Sequence, residues 1–148
     1  MKRWLTAALF LVASTTGAQT FPHLSVIDVN SLTTVTGSTT LFMSSGTGVD
    51  ATEANVSQKL LTRAILINLQ CQASATVGAQ TITLTGMSGT CGSTTAQSFT
   101  CALTGTTACG TGTSSLTVNA GECWDLRLTF SGSLGSPVFV VCSLERAL

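Results

Sequence analysis

In FTCALTGTTACGTG, Cys101 and Cys109 each lie four positions from Gly105. Cysteines beside glycines admit three chemistries: a metal centre, a phosphate-cradling loop or a disulfide. A zinc centre calls for close C-x-x-C pairs or neighbouring histidines. Here Cys101 and Cys109 are the closest pair, and His23 is the only histidine. A phosphate loop needs glycines that open a helix with a lysine behind them, and no lysine follows Lys59. A disulfide fits best, with Phe99–Leu103 as a strand, TGTT as a turn and ACGTG as the start of the return strand. Opposed positions of such a hairpin hold their Cβ atoms about 4.5–5.5 Å apart, near enough to bridge.

The six cysteines are Cys71, Cys91, Cys101, Cys109, Cys123 and Cys142. An even number in an exported chain reads as a disulfide framework. Cys71 and Cys142 sit on the core faces of long strands and could join them, which would leave Cys91 for Cys123. These four cysteines could also pair in other ways.

Other reactive groups lack partners. Glu122 and Asp125 flank Cys123, but catalytic carboxyl pairs share a cleft at about 5–9.5 Å. These two border a strand start, with Arg127 on the Asp125 face, so a surface ion pair is expected. His23 has no companion motif and reads as a solvated side chain, and neither G-x-S-x-G nor H-E-x-x-H occurs. No catalytic activity and no cofactor are expected. Asp50 and Glu53 are the two candidates for a calcium site, and Asn55-Val56-Ser57 is a glycosylation sequon. Trp124, at an inward position, reads as core. Thr81, Thr83 and Thr85 form one outward row, as an ice-binding surface would need on a larger scale, although threonine also suits any wet strand face.

The elements that would position these groups follow from charge and periodicity. MKRWLTAALFLVASTTGAQT runs from basic through apolar to small residues, the pattern of a secretory signal peptide over 1–18. The protein is therefore expected to be secreted, extracellular or on a cell surface. Later stretches are too short or too polar to span a membrane. Only 8% of the chain is charged, against roughly 25% in an average domain. No basic patch for nucleic acid can be assembled from so few cations. Such low charge also suits a surface covered by neighbours.

Residues 19–50 read as an arm or a first strand and residues 51–148 as the folded domain. From Ala64 onward apolar residues alternate with polar ones. Ile65, Ile67, Leu69 and Cys71 share one face, as do Ile82 and Leu84; Phe99, Cys101 and Leu103; Leu116 and Val118; Trp124, Leu126, Leu128 and Phe130; and Val138, Val140, Cys142 and Leu144. Short alternating runs divided by turn residues predict an all-β, antiparallel sandwich.

Three stretches, TEANVSQKLLTRAILINL, the Cys101–Cys109 hairpin and VNAGECWDLRL, carry a resemblance. The region from Leu41 onward resembles jelly-roll domains of the tumour-necrosis-factor-like and complement-globular-head-like type, found at the ends of bacterial collagen-like surface proteins and in phage fibres. The resemblance implies a jelly-roll β-sandwich, a homotrimer and a structural or surface-interaction role without catalysis. The alternative is a secreted module that binds a glycan or a cell-surface receptor. Phe139 and Val141 fall on the opposite register from Val138 and Val140 and so point away from the core. Adjacent apolar residues there predict a subunit interface, unless segment 24–43 covers them.

Overall fold

Strands form where apolar and polar residues alternate, and eleven occur among the described residues of the computed structural model, which are 25–147 without 32, 38, 106, 112 and 113. Residues 1–18, expected to be a signal peptide, and His23 lie outside them. The strands are β1 (Ser25–Asn30), β2 (Leu41–Ser44), β3 (Gly48–Asp50), β4 (Gln58–Lys59), β5 (Ala64–Ala73), β6 (Thr81–Thr90), β7 (Ser93–Thr104), β8 (Ala108–Gly110), β9 (Ser115–Val118), β10 (Cys123–Phe130) and β11 (Val140–Ala147). One turn of 3₁₀ helix covers Glu53–Asn55. The fold is all-β, and every strand pairing is antiparallel.

The first sheet has the order β1-β11-β5-β8, with β9 also on β5. The second has the order β3-β2-β10-β6-β7, with β4 on β10. Residues 25–50 supply three strands divided between both sheets, so this stretch is part of the sandwich. The core between the sheets is built on Trp124, Phe99, Met43 and a set of leucines.

On β7, β9 and β11 the alternation reads straight from sequence: Phe99, Cys101, Leu103, Leu116, Val118, Val140, Cys142 and Leu144 are buried. On β5 it does not. Ala64 and Leu66 are buried, whereas Ile65 and Ile67, expected inside, are half-buried on the outer face. The cause is a bulge. Ser143 opposes Gln70 and Glu145 opposes Ile67, so Asn68 and Leu69 together face Leu144. Asn68 takes φ +54°, a left-handed conformation that asparagine tolerates better than most residues. The extra residue reverses the inward phase upstream of it.

A second irregularity lies between β6 and β7. Thr85 opposes Thr100 and Met87 opposes Ala96, leaving Gly86 against three residues of β7. A Cβ at Gly86 would come within 2.7 Å of the Phe99 ring, so only glycine lets that ring close the core. The FTCALTGTTACGTG segment is likewise not a paired hairpin. β7 belongs to the second sheet and β8 to the first, beside β5, so the Cys101–Cys109 bond crosses the sandwich.

Candidate functional site

Three disulfides brace the fold: Cys71–Cys142, Cys91–Cys123 and Cys101–Cys109, with Cα separations of 4.1, 4.8 and 5.7 Å. The first lies within the first sheet. The second ties the β6–β7 turn to the start of β10 in the second sheet, and the third joins the sheets. The sulfurs of Cys71, Cys101 and Cys109 lie within 4.8 Å of one another, a metal-like grouping produced by two adjacent bridges. Bonded sulfurs offer no thiolate to a metal.

The carboxylates separate into unrelated roles. Glu122 accepts a hydrogen bond from the Asn119 amide at 2.8 Å and closes an exposed turn. Asp125 does not form the surface ion pair expected from sequence, because it is fully buried. It shares the outer face of the second sheet with Met87, its opposed neighbour on β6. The turn around Glu53–Asn55 lies against this face and is tied to the start of β7, the edge strand of the same sheet. Glu53 accepts the Thr94 amide at 2.6 Å, and the Thr94 hydroxyl donates to Asp125 Oδ2 at 3.4 Å. Asp125 Oδ1 has no partner. Burial pushes the Asp125 carboxyl up to about 7; the charge of Glu53 adds to this, and Thr94 and Arg127 partly oppose it.

Asp50 and Glu53, the calcium candidates, are engaged in holding the same turn. Asp50 accepts the Thr52 amide at 2.7 Å and the Asn55 side-chain amide at 2.9 Å. These bonds, the Thr52 amide first, hold its carboxyl below the usual carboxylate range. The sequon nitrogen of Asn55 is thus already donating. The threonine row is also incomplete as a surface. Thr81 bonds Thr104, hydroxyl to hydroxyl, at 2.9 Å, and Thr85, expected outside, is buried on β6.

The outer face of the first sheet is different. Phe139 is 46% exposed, Val141 50% and Val26 64%. β1 runs beside β11 rather than over it, so the N-terminal strand leaves this face open. Register places Val141 beside Gln72, Ser143 beside Gln70 and Asp28, and Glu145 beside Ile67 and Val26. A shallow trough of about 630 Å³ follows this face, lined by Asp28, Gln70, Gln72, Val141 and Ser143 and edged by β8. Glu145 accepts the Asn68 side-chain amide at 2.7 Å. Phe139 is the one well-exposed aromatic among the described residues. Sequence reasoning found Phe139 and Val141 but missed Val26 and Asp28. The alternation Val26, Asp28 against Ile27, Val29 in LSVIDVN carried that signal.

Among the described residues no helix is long and apolar enough to cross a membrane. No protein-family model, curated protein or solved structure matches the chain.

Proposed function

We propose that the protein is a secreted structural subunit, a disulfide-stapled jelly roll that self-associates through the outer face of its first sheet. The jelly-roll reading is supported by the order of pairing. Taking β1, β2, β5, β6, β7, β9, β10 and β11 as the eight principal strands, the first pairs with the last (β1 with β11). The second pairs with the seventh (β2 with β10), the third with the sixth (β5 with β9) and the fourth with the fifth (β6 with β7). A long antiparallel hairpin rolled into two sheets has this nesting, which suits the double Greek key of a jelly roll. Full pairing of the six cysteines suits an oxidising exterior.

The observation that carries the functional reading is the open face around Phe139 and Val141. Exposed apolar side chains set among the amides of Gln70 and Gln72 and the Ser143 hydroxyl, with the Asp28 carboxylate alongside, suit a protein interface, in which apolar contact is mixed with polar groups. A glycan-binding module would be expected to present several aromatics there. Three copies is the number implied by the family resemblance, and a subunit of this kind builds or decorates an extracellular surface.

The test is the mass of the mature, oxidised chain by sedimentation. A multiple of the subunit mass is expected, three if the resemblance holds. Phe139→Asp should reduce it to the monomer with an unchanged circular-dichroism spectrum. A wild-type monomer at micromolar concentration overturns the reading.

A further inference from the structure

Cys142, Cys71 and Cys109 occupy opposed positions on three neighbouring strands: Cys142 is the register partner of Cys71, and Cys71 is the register partner of Cys109. Cys101 reaches the same point from the other sheet through its bond to Cys109. Cys71 therefore has a second cysteine directly across the ladder from it, although its bond is to Cys142. Opposed antiparallel residues have Cα atoms about 4.5–5.5 Å apart, within the range a disulfide spans. The relevant sulfurs are already within 4.8 Å of one another.

We propose that these four cysteines form a single thiol–disulfide exchange unit, entered at Cys109 by an exogenous dithiol, in which Cys71 moves its bond from Cys142 to Cys109. Cys71, Cys101 and Cys142 are buried, while Cys109 is partly exposed on β8, the three-residue strand at the sheet edge. A thiolate of the reagent attacks Cys109 Sγ and expels Cys101 as a thiolate, which takes up a proton. The second thiolate of the reagent then displaces Cys109, so the reagent leaves as a cyclic disulfide and two electrons have passed to the protein. Next, the Cys109 thiolate attacks Cys71 Sγ. The Cys71–Cys109 bond forms as Cys71–Cys142 breaks, and Cys142 departs as a thiolate and is protonated. This last step consumes no further reductant, because one disulfide replaces another.

The exchange changes the architecture. Cys101–Cys109 is the one disulfide that joins the two sheets, whereas Cys71–Cys109 would lie wholly within the first. One reducing event at the edge therefore removes the disulfide between the sheets and the disulfide between β11 and β5, leaving those two strands joined by their ladder alone, while a core disulfide persists.

Cys101→Ser tests this without any reductant, since it removes the native partner of Cys109 and leaves Cys109 as a thiol free to attack Cys71. The mature variant is acid-quenched, alkylated and peptide-mapped without reduction. The expected result is a Cys71–Cys109 species with Cys142 alkylated, alongside a Cys71–Cys142 species with Cys109 alkylated. Finding the second species alone overturns the proposal. If the variant does not accumulate as folded protein, the wild-type chain is treated with substoichiometric dithiothreitol. Alkylation on Cys101 and Cys142 with a Cys71–Cys109 bond is then expected, and alkylation confined to Cys101 and Cys109 overturns the proposal. An intact Cys91–Cys123 bond serves as the internal reference in both experiments.

Discussion

The outer face of the first sheet leaves Phe139, Val141 and Val26 in water, while the outer face of the second buries Asp125, Met87 and Ser44 beneath the chain's own turn. The usual placement is inverted on each side: apolar groups outside on one, a carboxylate inside on the other. Cover decides the difference. On the second sheet Glu53 grips the Thr94 amide, Ser44 donates to the Val56 carbonyl, and Ala54 packs against Gly92, which seats the turn on β10, β6 and β7. On the first sheet no described segment lies over β11, and Phe139, Val141 and Val26 stay exposed among the described residues. An apolar sheet face that the described residues leave open is the observation on which the proposed function rests.

Two substitutions on the covered face and one on the open face would break or sharpen this contrast. The largest effect is expected at Met87, which is buried on the covered face opposite Asp125. Met87→Lys removes a packed side chain and forces an ammonium group under the turn. Proximity to the Asp125 carboxylate offsets part of the cost, but the group still loses its water. A destabilisation of roughly 2–4 kcal/mol is expected from a buried charge of this kind. The midpoint of urea unfolding reads it directly. A midpoint within error of wild type would mean that the turn does not seal this face.

Asp125 gives a pH-dependent effect of comparable size with a definite sign. Its carboxyl is raised from 3.8 to about 7 in the folded chain. A raised carboxyl holds its proton more tightly when folded than when unfolded. Its stabilising contribution is therefore complete below about pH 4 and is lost as pH rises to about 7. At about 1.4 kcal/mol per pH unit, reduced by relaxation of the turn, the loss amounts to roughly 2–4 kcal/mol. Asp125→Asn keeps the shape without the charge. The variant should unfold at a nearly constant urea midpoint across this window and be more stable than wild type above it. A wild-type midpoint that falls between about pH 4 and 7 with the same slope kept in the variant would assign the titration to another group, and a wild-type midpoint that does not fall would overturn the prediction.

How far the fold was legible in the sequence depended on whether local periodicity was left undisturbed. β9, β11 and the Phe99–Leu103 half of β7 keep a two-residue period on their inward side, and their buried residues follow directly. β5 has the same periodicity in its letters, yet Asn68 shifts its phase, and nothing marks Asn68 as left-handed until β11 is set beside it. The burial of Asp125 was equally hidden, because its cover comes from Glu53 and Thr94, both distant in sequence. The cysteine chemistry was legible as disulfides. That Cys101–Cys109 spans two sheets was not, because a short turn and a crossover between sheets have the same local composition. Exposure of Phe139 and Val141 followed from parity alone and needed no partner strand.

The smallest effect on the fold itself is expected on the open face, and it discriminates most sharply between the two sides. Val141 is already half in water, so Val141→Lys removes little buried area and creates no unpaired interior charge. Exposed substitutions of this sort usually change stability by no more than about 0.5 kcal/mol. The self-association reading adds a second, separable consequence. If copies bind through this face, wild-type unfolding is linked to assembly, and the midpoint should rise with protein concentration. In Val141→Lys the ammonium would have to be buried unpaired at each interface, so the concentration dependence should vanish while the dilute-limit midpoint stays put. The same lysine would then unfold one face and merely separate copies at the other. A wild-type midpoint that does not move with concentration, or a dilute Val141→Lys chain as unstable as Met87→Lys, would remove the contrast between the faces and with it the reason to read the first as an interface.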